Sequence, residues 1–242
     1  MDNSHSSPNS SPLYIGQECK ELSLILLLEK GWIAIHVSYD LVSFWKIDLY
    51  SDKDLAPNLQ TISPPRLFST HLSYESLPKS MKDSSCKVIY LYRDPKYNFI
   101  SLWHFLNKIR PKSRETLPLE EVFEIFCKGV TPFGPFWEHV LGYWKKSLES
   151  PKKVMFLKYE EIKMRLNFYL KEIAKFLECS FSKEEESKGV DDDILNLCNF
   201  EKLSNLEINK IGTTSIKVEN KTFLRLGQIG DRKNILTHEI MY

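Results

Sequence analysis

A few side chains in this sequence have the chemistry to hold an anion or to take up a proton. Arg93 stands in the stretch YRDP, and Ser101 follows it two helical turns later. An arginine offers a forked donor and a serine a hydroxyl, so the pair could clamp a phosphate. A surface arginine paired with a nearby carboxylate is the alternative. His71 could act as a general base, because its unperturbed pKa is near neutrality, although a lone histidine is more often structural.

A second basic segment lies near the end of the chain and reads FLRLGQIGDRKNIL. Arg225 and Lys233 supply positive charge, while Gly227 and Gly230 supply flexible backbone N–H groups. These residues could form a lid over the anion that Arg93 holds. A solvated loop is the alternative, and on pattern alone it is the better interpretation.

The position of Arg93 follows from a strand, a turn and a helix. Val88 to Tyr92 is a short apolar run rich in β-forming residues, which is typical of a buried parallel strand. Asp94 is a good N-cap, and Pro95 suits the first helical position. The apolar residues of the helix recur at three- and four-residue spacing and predict one buried face: Phe99, Leu102, Trp103 and Leu106. Arg93 then lies where open α/β sheets bind anions and nucleotides.

The same order of strand and helix occurs a second time. Residues 154–157 predict a strand, and the helix after it turns five residues inward: Ile162, Leu166, Tyr169, Ile173 and Phe176. A further short strand, residues 66–70, ends at His71. The repeated order predicts an α/β fold with a parallel sheet.

Other helices have recognisable ends. A helix through Phe123 should stop at a left-handed Gly129. Ser182 and Glu185 form a capping box, and Asp191 is predicted to cap a helix that runs through Cys198. Another helix begins at Gly134-Pro135, and its aromatic face is predicted to be core rather than a ligand site: Trp137, Leu141, Trp144 and Leu148.

Composition excludes several classes of protein. The chain has 242 residues, 42% of them hydrophobic, with a net charge of +1, so it can bury a core without a bulk charge that favours nucleic acid or membrane partners. Its five cysteines are scattered, which predicts reduced thiols and no metal site. Residues 1–12 are predicted to be a disordered tail, with one domain over residues 13–242. No signal peptide is evident, which indicates a cytoplasmic protein.

Five blocks of sequence together resemble the plant-type cytosolic sulfotransferases, in the order usual for that family. The blocks are RLFSTHLSYESLP, CKVIYLYRDPKYNFISLWHF, GPFWEHVLGYWKKSLESPKKVMFLKYEEIK, LCNFEKLSNLEINKIG and FLRLGQIGDRKN. The resemblance implies a P-loop-like parallel sheet flanked by helices. It also implies transfer of a sulfuryl group from 3'-phosphoadenosine 5'-phosphosulfate (PAPS) to the hydroxyl of a small-molecule acceptor, with no metal.

The resemblance also assigns roles to residues. His71 would take the proton of the acceptor, and Arg93 with Ser101 would hold the 3'-phosphate of the nucleotide. Tyr159 and Phe200 would lie beside the adenine. The C-terminal loop would add further contacts to the 3'-phosphate from Arg225 and Gly227, whereas Leu226 stands where the family usually has a lysine.

One departure from the family pattern concerns the cosubstrate. Similar proteins carry a YPKSGTTW-type loop that grips the 5'-phosphosulfate, and no such segment occurs here. The sequence passes from Trp45 to Lys46 where that loop is expected, which predicts a fold without its first strand, loop and helix. Two alternatives follow: an inert relative that binds nucleotide weakly or serves as an interaction protein, or a coding segment omitted at this junction. The dimer motif of the mammalian enzymes is half present, because Lys233 and Thr237 fit it, and leaves the oligomeric state open.

Overall fold

The computed structural model describes residues 43–44, 68–132, 134–213 and 218–224, with side chains from residue 70 onward. Strands β1 (Ser43–Phe44) and β2 (Phe68–Ser69) pair in parallel. Strands β3 (Val88–Tyr92) and β4 (Val154–Lys158) also pair in parallel, with Val88 opposite Val154 and Tyr92 opposite Lys158. The α/β class and the parallel pairing of these strands are confirmed. The predicted tail, residues 1–12, and the Trp45–Lys46 junction lie outside the described residues.

Strand β3 is less buried than its sequence predicts. All five of its side chains are half-buried. Within the described ranges β3 pairs with β4 alone, so one of its edges has no neighbouring strand there. Strand β4 is better covered, because Val154 and Leu157 are buried in two separate apolar clusters.

The helix after β3 has the predicted start and the predicted buried face. Helix α1 (Lys79–Asp83) precedes β3, and α2 (Pro95–Ile109) follows it. The Asp94 carboxylate accepts a hydrogen bond from the Lys96 N–H at 2.9 Å, so the N-cap is confirmed. Phe99, Ile100 and Leu102 are buried against α3 (Leu119–Cys127), while Trp103 and Leu106 pack at the margin of this cluster. Gly129 follows α3 with a φ of 77°, the predicted left-handed conformation.

Helix α4 (Phe136–Glu149) contradicts the prediction of its buried face. The four residues predicted to be core are 45% to 65% exposed: Trp137, Leu141, Trp144 and Leu148. The buried residues are Phe136 and Tyr143, with His139 half-buried beside them. The prediction was wrong because α4 carries aromatic residues on two neighbouring stripes, and the less hydrophobic stripe faces the aromatic side chains of β3.

The helix predicted after β4 is two helices. Helix α5 (Tyr159–Met164) and helix α6 (Leu166–Phe176) are separated at Arg165, whose φ of -139° and ψ of 50° are not helical. Ile162 and Ile173 are buried as predicted, together with Leu170. Leu166, Tyr169 and Phe176 are half-buried. Leu166 and Tyr169 pack against the same apolar cluster as Ile162 and Ile173, so they face inward as predicted.

The C-terminal part of the described chain is helical. Helix α7 (Lys183–Ser187) has the predicted capping box. Helix α8 (Val190–Leu197) is preceded by Gly189 as its N-cap, so the prediction that Asp191 caps it was wrong. The Asp191 carboxylate lies in the first turn and instead contacts Lys171 at 3.1 Å. Three short elements complete this part of the chain: α9 (Phe200–Asn205), α10 (Glu207–Ile211) and a 3-10 helix (Asn220–Phe223).

Candidate nucleotide site

The pairing of β3 with β4 brings two of the predicted site residues together. Tyr92 lies opposite Lys158 at the last position of the register, so Arg93 directly follows β3 and Tyr159 directly follows β4. The Arg93 guanidinium lies 4.8 Å from the centre of the Tyr159 ring. Its Nη1 donates a hydrogen bond to the Ser101 hydroxyl at 3.1 Å. The structure therefore gathers Arg93, Ser101 and Tyr159 at the carboxyl ends of two parallel strands.

Arg93 is a buried residue rather than the surface arginine of the alternative interpretation. Its side chain is 8% exposed and also lies 5.8 Å from the centre of the Tyr97 ring. Burial raises the pKa of Tyr159, and the positive charge of Arg93 opposes that rise. A buried cation close to two aromatic rings, next to the amino end of a 15-residue helix, is well suited to bind an anion.

His71 lies just after β2 and is anchored through its main chain. It is half-buried. Its carbonyl oxygen accepts a hydrogen bond from His139 Nε2 of α4 at 3.0 Å, and the next carbonyl, that of Leu72, accepts one from the Tyr143 hydroxyl at 2.8 Å. His71 as the base stays a prediction.

Sequence reasoning missed both of the α4 residues that hold this segment. His139 and Tyr143 follow Phe136 at spacings of three and seven residues, which is a helical stripe in its own right. That stripe was the signal that could have found them. The neighbouring stripe contains more apolar side chains, so hydrophobicity alone favours that stripe as the buried face.

One predicted site residue is described apart from this cluster, and three others lie outside the described residues. Phe200 is the first residue of α9 and is half-buried. Among the described residues, no ring or cation contact joins it to Arg93 or Tyr159. Arg225, Leu226 and Gly227 lie outside the described residues, together with Gly230 and Lys233, so their roles also stay predictions. The residues just before them pack against α2, where the Phe223 and Phe105 ring centres are 5.3 Å apart.

The described part of the chain has neither a metal-binding cluster nor a membrane-spanning helix. There, no cluster of three or more histidine, cysteine, aspartate or glutamate side chains is arranged to bind a metal ion. None of the described helices has the length and apolar character needed to cross a membrane.

Comparison with known proteins identifies the relatives of the chain. The family model described as "Sulfotransferase domain" matches residues 17–241. Cytosolic sulfotransferase 5 of Arabidopsis thaliana is 45% identical over 200 residues, which cover 83% of this chain and 62% of the relative. Cytosolic sulfotransferase 8 of the same plant is 46% identical over 207 residues, covering 85% and 62%. The chain thus spans less than two thirds of the length of these curated relatives.

Solved sulfotransferase structures share the fold of this chain. Mouse sulfotransferase SULT7A1, complexed with PAP, superimposes with a TM-score of 0.67 at 26% identity, covering 93% of this chain and 77% of that one. A putative steroid sulphotransferase of Arabidopsis thaliana gives a TM-score of 0.59 at 37% identity, covering 83% and 68%.

Proposed function

This chain belongs to the sulfotransferase family, and on that premise we propose that it transfers a sulfuryl group from PAPS to the hydroxyl of a small-molecule acceptor. The observation that carries the proposal is the buried Arg93 guanidinium, held between Ser101 and Tyr159 at the ends of β3 and β4. An anion at this position would receive a charge-assisted hydrogen bond from Arg93 and sit at the amino end of α2.

In this proposal Arg93 and Ser101 bind the 3'-phosphate, and Tyr159 lies beside the adenine. Phe200 from α9 and the segment with Arg225, Leu226 and Gly227 complete the nucleotide site. His71 takes the proton of the acceptor hydroxyl as its oxygen bonds to sulfur. The bond between sulfur and the bridging phosphate oxygen breaks, and adenosine 3',5'-bisphosphate leaves with those electrons.

Binding and transfer need separate tests, because the sequence has no YPKSGTTW-like loop. In related chemistry, loss of a single preorganised donor to developing charge lowers the rate by roughly 10²–10³. A missing loop removes several donors together. We therefore expect the 3'-phosphate site to bind nucleotide and transfer to be slow.

The proposal includes a cellular location and a class of partner. The Arabidopsis relatives are named as cytosolic proteins, and we place this chain in the cytosol as well. Its partner is a hydroxylated small molecule. Neither a metal, a nucleic acid nor a membrane is required for the proposed reaction.

Calorimetry with adenosine 3',5'-bisphosphate tests the binding step. Replacing Arg93 by Gln should raise the dissociation constant by about 10- to 150-fold, since a hydrogen bond to a charged group contributes about 1.5–3 kcal/mol. Arg114→Gln removes the same charge from an exposed position and should leave the dissociation constant unchanged. Equal effects of the two substitutions would argue against Arg93 as the phosphate ligand.

Transfer of labelled sulfate from PAPS to phenols, steroids and glucosinolate precursors tests the second step. Turnover by the soluble wild-type chain supports the enzyme. Nucleotide binding without turnover of any acceptor in the panel would instead support the alternative, in which the chain is a catalytically inert relative that binds nucleotide.

A further inference from the structure

Two polar side chains in series, those of Tyr90 and His139, connect strand β3 to the main chain of His71. The His71 carbonyl oxygen can only accept a hydrogen bond, so His139 Nε2, at 3.0 Å, carries the proton and donates it. His139 Nδ1 is then an acceptor in the neutral ring, and the Tyr90 hydroxyl donates to it at 3.1 Å. Both ring nitrogens of His139 are therefore engaged by the protein.

The residue after His71 is held by two further contacts. The Tyr143 hydroxyl donates to the Leu72 carbonyl at 2.8 Å, and the Leu72 N–H donates to Thr70 Oγ1 at 3.1 Å. The Tyr143 ring stacks on Tyr90 with a centre distance of 4.2 Å and an interplanar angle of 15°. Helix α4 and strand β3 thus hold residues 71 and 72 from one packed aromatic group.

We propose that His139 is a positioning residue, which fixes the main chain of His71 relative to strand β3, which Arg93 directly follows. This inference rests on the proposed function, in which His71 is the base. Tyr90 and Arg93 belong to the same short run of chain, three positions apart. The contact from Tyr90 through His139 to His71 therefore sets where the base stands relative to the nucleotide site.

The electrostatics of His139 agree with this role. Burial lowers its pKa, against the opposite effect of the backbone hydrogen bonds that it makes to His71 and Leu72. The neutral ring retains the Nδ1 lone pair that the Tyr90 hydroxyl needs. Since His139 has no nitrogen left for a substrate proton, it acts through His71 rather than as a base itself.

Steady-state kinetics of three variants of this chain separate positioning from general packing. His139→Phe keeps a ring and removes the donor, whereas His139→Gln keeps an amide N–H near the position of Nε2. A displacement of about 1 Å can lower a rate by about 10²-fold, so we expect kcat of His139→Phe to fall by about 10- to 100-fold with an unchanged KM for PAPS. His139→Gln should recover part of that loss, and Leu141→Ala on the exposed stripe of α4 should match the wild type.

Two kinetic results would overturn the proposal. One is a kcat for His139→Phe within about twofold of the wild type. The other is a fall in kcat with an equal loss of affinity for adenosine 3',5'-bisphosphate and no recovery in His139→Gln, which would indicate a general structural role.

Nuclear magnetic resonance of ¹⁵N-labelled histidines tests the same contact without turnover. We expect His139 to be the neutral Nε2–H tautomer, and the His71 ring to give one sharp set of signals in the wild type and in His139→Gln. The His71 signals should broaden or double in His139→Phe. An Nδ1–H tautomer, or unchanged His71 signals in His139→Phe, would overturn the inference even if the chain transferred no sulfate, so this result is independent of the proposed activity.

Discussion

Helices α2 and α4 both pack near β3. The sequence predicted the buried face correctly for α2 and wrongly for α4. On α2 the most apolar stripe is buried, with Phe99, Ile100 and Leu102 inside the core. On α4 the most apolar stripe is exposed, and Trp137 and Trp144 are about half accessible. Hydrophobic content alone therefore selects the right face for one helix and the wrong face for the other.

The difference comes from what each helix must cover. The inward residues of α2 named above meet other apolar side chains. Helix α4 covers the main-chain carbonyls of His71 and Leu72, and buried carbonyls require donors. His139 and Tyr143 supply those donors while their rings pack on Tyr90. A helix beside a candidate site can thus turn polar-tipped aromatic residues inward.

The strongest test of this comparison removes one aromatic ring from each stripe of α4. Tyr143→Ala should lower the free energy of unfolding by about 3–5 kcal/mol, as is typical when a buried aromatic side chain is deleted. Trp144→Ala, one residue along, should change it by less than about 1 kcal/mol. Urea unfolding followed by circular dichroism measures both values.

A milder variant separates the ring from its hydroxyl. Tyr143→Phe loses only the hydrogen bond to the Leu72 carbonyl, so we expect a loss of about 1–2 kcal/mol. If Trp144→Ala destabilised the protein as much as Tyr143→Ala, the exposed stripe would have a packing partner and the comparison would fail.

The parts of the fold that the sequence predicted well rest on local signals. Asp94 caps α2 through a neighbour two residues away, and Ser182 with Glu185 forms a box within one turn. The position of Arg93 could also be predicted from the sequence, because a residue that follows a parallel strand lies at a known edge of the sheet.

The parts that were missed depend on contacts between distant residues. His139 meets the His71 carbonyl across 68 positions, and Tyr143 meets Leu72 across 71. Asp191 has the residue type of an N-cap, but Gly189 takes the cap while the carboxylate pairs with Lys171 on another helix. The sequence pattern of a single helix cannot predict partners that lie on other elements.

Two asparagines on α2 test whether a buried polar side chain stabilises this helix only when it has hydrogen-bond partners. Asn98 is fully buried, and within the described ranges neither atom of its side-chain amide has a hydrogen-bond partner. Asn107 donates to the Trp103 carbonyl at 3.0 Å and accepts from the Leu117 N–H at 2.7 Å. Asn98→Leu should raise the free energy of unfolding by about 1 kcal/mol, whereas Asn107→Leu should lower it by about 1–3 kcal/mol.

Thermal and urea unfolding of the two asparagine variants give these values directly. A destabilised Asn98→Leu protein would mean that the Asn98 amide contributes to stability. Helix α2 would then resemble α4, whose buried polar groups stabilise the fold.

His139 also gives the stability of the fold a pH dependence. Burial lowers its pKa in the folded state below the ordinary value of 6.5. As the pH falls below that value, the unfolded chain binds a proton that the folded chain does not, so stability decreases, by up to about 1.4 kcal/mol per pH unit. The rings that pack against it, Tyr90 and Tyr143, stay neutral in this range, because burial raises the pKa of both. Urea unfolding at pH 7.5 and pH 5.5 should show a larger loss for the wild type than for His139→Gln, whereas equal losses would mean that the ring titrates as freely in the fold as in the unfolded chain.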